Sequence, residues 1–221
     1  MTASPVTEVA LLPIAESTTI DEASSQAGKT WSSCLSTIAS QPGYQRLRWG
    51  RQIDAPSTVL LLIDWDSLDA HKAFMADPIY QPFTADFGSI MTGPAVLYHA
   101  RFDPHPATDA TDAPVTQCLT MYLPTAASVS TLEFFERHVS AYHKMAQLHG
   151  DGYLGGYGGW VDEELEFKGE KKKVYTAMLG WDSVESNDAY KRTGAFEGAI
   201  GGMRDHSDGL EVGFYALKGS G

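Results

Sequence analysis

The sequence predicts an α+β chain in which one β-α-β-β-α-β unit is written twice. Three observations carry this. Residues 59–74 read VLLLIDWDSLDAHKAF and residues 174–190 read VYTAMLGWDSVESNDAY. Each is an apolar run, then Trp-Asp-Ser, then a short polar-apolar segment ending in an aromatic. A turn landmark also recurs, as Pro42-Gly43-Tyr44 and Asp151-Gly152-Tyr153. Between the copies, residues 103–114 read DPHPATDATDAP, a stretch without periodicity and rich in turn formers, which reads as a linker. The expected organisation is a first half over 1–102, this linker, and a second half over 115–221.

Residues 6–13, VTEVALLP, predict the first strand. Trp31, Cys34, Leu35 and Ile38 then recur at helical spacing within 28–39. Gln41-Pro42-Gly43 stops that helix, because proline and glycine disfavour continuation. Residues 44–53 predict a strand of mixed faces, and 59–65 a strongly apolar one. Asp66 or Ser67 can cap the next helix, which carries Leu68, His71 and Phe74 and ends at Pro78. Residues 95–102, AVLYHARF, complete the first half. The order then repeats: a strand over 115–122, a longer helix over 130–148, a glycine-rich strand over 153–161, an apolar strand over 173–181, a helix from Val184, and a strand over 210–217. The glycine patch GAFEGAIGGMRDHSDG before that last strand reads as a mobile loop. This is the ferredoxin-like order. Its sheet has helices on one face only, so its other face needs a cover, and two halves in one chain can cover each other.

Composition narrows the functional classes. Hydrophobic residues are 43% of the 221, enough for a core, and the formal charge of −12 disfavours nucleic acid as a partner. The basic cluster Lys171–Lys173, beside Lys168, reads as a solvated hairpin turn. Cys34 and Cys118 belong to no CxxC or Cys/His cluster, which fits two buried thiols in a reducing compartment. No secretory leader is recognisable and no run of about 18 apolar residues occurs, so no membrane association and a cytoplasmic location are expected. The seven histidines show no metal-ligand spacing, and GDGYLGGYGGW lacks the phosphate-loop arrangement. No metal and no cofactor are expected. Two chains could still pair through outer surfaces.

The element order and the segments Trp65-Asp66-Ser67…His71…Phe74 and Trp181-Asp182-Ser183…Tyr190 resemble the dimeric α+β barrel superfamily. The resemblance is to its antibiotic-biosynthesis-monooxygenase-type and stress-responsive domains, here fused in tandem. It implies an intrachain barrel of two ferredoxin-like halves. The functions it brings are cofactor-free monooxygenases of electron-rich aromatics, polyketide cyclases, isomerases, haem-degrading enzymes and proteins without activity. No histidine here matches a haem ligand by motif.

His71 stands where the second copy has Asn187, and Asp64 where it has Gly180, which favours the first half as the active one. A neutral imidazole at His71, or at His99 in the middle of a strand, could abstract a proton from a phenol or activated methylene. Tyr44 or Tyr98 could stabilise the resulting anion. Asp64, a carboxylate on an apolar strand, could orient a partner, with Arg46 and Arg48 on a neighbouring face to neutralise it or hold an anionic group. Trp65, Tyr157 and Trp160 could line an aromatic-binding cavity. The expected function is a cofactor-independent enzyme of small aromatic or polyketide-like molecules, with cyclase, dehydratase or isomerase chemistry first. Oxygenation by the substrate anion is the alternative, and a non-catalytic binding or stress-related protein the competitor.

Overall fold

The computed structural model describes residues 4–219. They form two compact units, one of residues through His99 with Lys218 and Gly219, the other Ala100–Leu217. The first unit holds β1 (Val6–Pro13), α1 (Gln26–Ala39), β2 (Tyr44–Arg51), β3 (Thr58–Trp65), α2 (Leu68–Ala76), α3 (Tyr80–Gly88) and the start of β4 (Val96–Asp103). Its strand order is β2-β3-β1-β4, the ferredoxin-like arrangement. β1 and β3 run antiparallel with Val6 opposite Trp65 and Pro13 opposite Thr58.

Side chains alternate across these strands. Val6, Ala10 and Leu12 with Val59, Leu61, Ile63 and Trp65 join the core under Trp31, Cys34, Leu35 and Ile38 of α1. Thr7 and Asp64 therefore stand on the opposite face, away from the helices. This partition decides which polar residues can meet.

The second unit repeats the plan with α4 (Thr108–Thr111), β5 (Val115–Pro124), α5 (Val129–His149), β6 (Tyr153–Val161), β7 (Leu165–Phe167), β8 (Glu170–Trp181), α6 (Val184–Lys191), α7 (Gly194–Arg204) and β9 (Gly209–Tyr215). Its order is β6-β8-β5-β9, with β7 on β8, and Ala100–Asp103 of β4 pair with β6. The repeated turn landmarks have a mechanical cause. Gly43 and Gly152 adopt φ +82° and +81°, and the Asp66 and Asp182 amides donate to their carbonyls at 2.7 and 2.9 Å. A Cβ at Gly43 would lie 2.5 Å from that of Ala70.

Several expectations need correction. The 103–114 segment is no bare linker: it contains α4, whose Ala110 and Thr111 are buried. The Thr116 hydroxyl donates to the Ala110 carbonyl at 2.8 Å and ties α4 to β5. The glycine patch of the second half is the helix α7, capped by the Thr193 hydroxyl and anchored by buried Ala199 and Met203. Its counterpart α3 was missed because its apolar spacing is weak and Pro82 interrupts it. The hairpin turn lies at Lys168-Gly169, both at positive φ, and Lys171–Lys173 continue β8. Lys218 bridges Trp49 and so belongs with the first unit rather than the second.

Candidate active site

Two local rules bring His71 to its place. The Ser67 hydroxyl accepts from the Ala70 amide and starts α2, and one turn on, α2 turns His71 and Phe74 inward. Alternation in β1 puts Glu8 on the same helix-facing side. The three polar side chains Glu8, His71 and His99 are 5%, 2% and 5% exposed. The His71 Nδ1 lies 2.7 Å from His99 Nε2, and its Nε2 lies 3.3 Å from Glu8 Oε2. The Trp65 indole N–H donates to the same Glu8 oxygen at 3.0 Å, and the Trp65 ring stacks on His71 at 5.2 Å and 15°. A carboxylate this deeply buried needs such partners to be tolerated.

Glu8 and His71 open onto a cavity of about 170 Å3 lined by Leu61, Ile63, Phe74, Tyr80, Phe83, Phe87 and Leu97 among others. A dry cavity of about 150 Å3 accepts benzene, so this partly open space admits one ring of a larger polycyclic molecule. Burial first, and the Glu8 charge second, raise the Tyr80 hydroxyl above its ordinary range, so it stays a neutral donor. The donor atoms of Glu8, His71 and His99 all lie within 4.8 Å of one another. Two imidazoles and a carboxylate are equally a metal-ligating set.

The second unit builds the same frame with neutral groups. The Trp181 indole N–H donates to Gln117 Oε1 at 3.1 Å, and Asn187 Nδ2 donates to the same oxygen at 3.0 Å. Register aligns the two frames, since Val115 faces Trp181 as Val6 faces Trp65. Glu8 therefore corresponds to Gln117, and His71 to Asn187. Strand β9 carries no histidine.

Of the expected site residues, His71 and His99 meet. Asp64 does not join them. It faces the other side of the sheet, accepting from Thr7 Oγ1 and Arg46 Nε, each at 2.5 Å. Arg46 is committed to that ion pair, and Arg48 Nη1 donates to the Leu47 carbonyl at 3.2 Å. Trp65 is fully buried behind His71, so it positions rather than lines the cavity. Tyr44 stands edge-on to Trp65 at 6.4 Å, and Tyr98 is buried on the strand face opposite His99. Tyr157 and Trp160 lie in the second unit, where their polar atoms donate to Asp109 at 2.8 Å and Glu136 at 2.5 Å. Glu8 was the residue missed. Its signal is a third disagreement between the copies, Val6-Thr7-Glu8 against Val115-Thr116-Gln117.

Solved structures share this fold over nearly the whole chain. A proposed monooxygenase from Lactobacillus acidophilus shares 14% identity at a TM-score of 0.61, over 99% of this chain and 97% of that one. An anthrone oxidase-like protein shares 15% at 0.67, over 99% and 94%. A proposed monooxygenase from Fusobacterium nucleatum shares 12% at 0.63, over 98% and 94%. These likenesses show a shared fold along nearly the whole chain. Within it, residues 12–86 match the sequence profile described as antibiotic biosynthesis monooxygenase, ABM. No curated protein matches the chain. No helix among the described residues is long and apolar enough to cross a membrane.

Proposed function

We propose that the first half is a cofactor-independent monooxygenase centre acting on a hydroxylated aromatic or polyketide-like molecule. The observation that carries this is the buried Glu8–His71–His99 relay at the wall of an aromatic-lined cavity. The profile match to monooxygenases over the same half, and the fold shared with an anthrone oxidase-like protein, rank oxygenation above cyclisation, dehydration or isomerisation.

In this mechanism His71 donates from Nδ1–H to His99 Nε2, which leaves Nε2 as the base. That nitrogen takes a proton from an activated methylene flanked by aromatic rings. Glu8 Oε2, 3.3 Å from that same nitrogen, then accepts the N–H of the imidazolium formed and stabilises its charge. The delocalised carbanion passes one electron to O2, and the radical pair joins into a C–O bond. The imidazolium returns its proton to the peroxide. Loss of water then yields a ketone, so a methylene and O2 become a carbonyl and H2O. Tyr80 donates toward developing negative charge on the ring oxygen.

The test is O2 consumption with a hydroxylated anthrone. Equimolar O2 uptake and quinone formation, undiminished by EDTA, are expected. A product formed at equal rate without oxygen would sink the oxygenase reading, and loss of turnover with EDTA, restored by a divalent ion, would reassign the three side chains to a metal.

A further inference from the structure

A second cavity belongs to the second unit, whose frame of Trp181, Gln117 and Asn187 holds no histidine. It measures about 370 Å3, within the range of small-molecule sites, and is walled mainly by Leu119, Met121, Phe196, Ile200 and Met203. Gln117 stands in its wall at 3% exposure. The orientation of that amide is fixed. An indole N–H can only donate, so the group facing Trp181 is the Gln117 oxygen. The same oxygen also receives Asn187 Nδ2. The Nε2 of Gln117 is therefore turned away from both, and it finds no protein partner among the described residues. Gln117 thus presents an unpaired N–H donor to an apolar chamber.

We infer that this chamber is a second, non-catalytic site for a neutral planar aromatic ketone or quinone, with the ligand carbonyl accepting from Gln117 Nε2. The first half presents an acceptor, Glu8, and so favours ligands with a donor group. The second presents a donor and favours a carbonyl. The cations at the rim are already engaged, Lys191 with Asp188 at 3.2 Å and Arg204 with Glu197 at 3.9 Å, which favours an uncharged ligand. This inference does not depend on the first half being an oxygenase.

Titration with 9-fluorenone, followed by calorimetry, tests it, with fluorene as the ring without a carbonyl. Saturable fluorenone binding is expected. Gln117→Glu should weaken it at least about 10-fold, because a carboxylate oxygen then faces the carbonyl. That variant reproduces the glutamate the first half tolerates at the same position, so the fold should hold. Ile200→Trp, which fills the chamber, should abolish the binding with little change in Tm. Fluorenone affinity unchanged in both variants, or no saturable binding by the wild type, would overturn the site. Fluorene bound as tightly as fluorenone would overturn the role of Gln117.

Discussion

The two halves hold one hydrogen-bond frame in two chemical states. In each, a buried tryptophan N–H donates to the third residue of the first strand, and the helix that follows supplies a second polar group. The first half fills those places with Glu8 and His71, the second with Gln117 and Asn187. A carboxylate and an imidazole can exchange protons near neutral pH, and two amides cannot. The frame is therefore architecture, and the identity of the atoms in it is chemistry. The second disagreement, Asp64 against Gly180, teaches the reverse. A Cβ at Gly180 would come 2.7 Å from the Asp109 carbonyl and 2.9 Å from the Ala113 Cβ, because α4 packs there. The first half has room, and fills it with an ion pair.

The largest effect should come from writing the second half's residue into the first. His71→Asn should lower kcat by 100-fold or more, at the order expected for a lost general base, whereas Asn187→His should leave kcat unchanged. Steady-state O2 uptake decides; equal turnover in His71→Asn would break the comparison. Glu8→Gln should cost about 10-fold to 100-fold in kcat with little change in Tm, since Trp65 can donate to an amide oxygen as Trp181 does. A collapse in Tm would mean the charge is structural. Asp64→Ala should leave the kcat of folded enzyme intact but reduce stability by about 2–3 kcal/mol, because Arg46 loses its carboxylate. Gly180→Ala should cost about 1–3 kcal/mol through the clash with α4. Chemical denaturation reads both.

A smaller, pH-dependent effect belongs to the second half. Burial holds the His143 imidazole down to about 4, with its Nδ1 2.8 Å from the Tyr153 hydroxyl. The unfolded chain takes up that proton near pH 6.5 while the folded chain does not. Stability is therefore full above pH 6.5, falls as pH drops toward 4, and levels below. His143→Phe should flatten the slope of Tm against pH in that interval.

Strand and helix positions could be read from the repeated phrases because each phrase couples an apolar run to a cap and a turn. The Trp-Asp-Ser phrase even located His71. What could not be read was the sheet face. Asp64 and His71 are close in sequence, yet strand alternation sends Asp64 away from the helices while α2 brings His71 back over them. Glu8 was passed over because a lone glutamate in VTEVALLP looks like an exposed strand residue, and only the Trp65 register across β1 and β3 reveals its burial. Helix α3 escaped because its apolar spacing is weak and Pro82 falls in its first turn, and α7 because its four glycines read as loop.

Ser67 and Ser183 each start a helix whose fourth following residue, His71 or Asn187, lands in the same frame. The cap thus works as a fixed address after which a single codon is free to vary. A duplicated gene with such addresses can gain or lose reactivity one letter at a time.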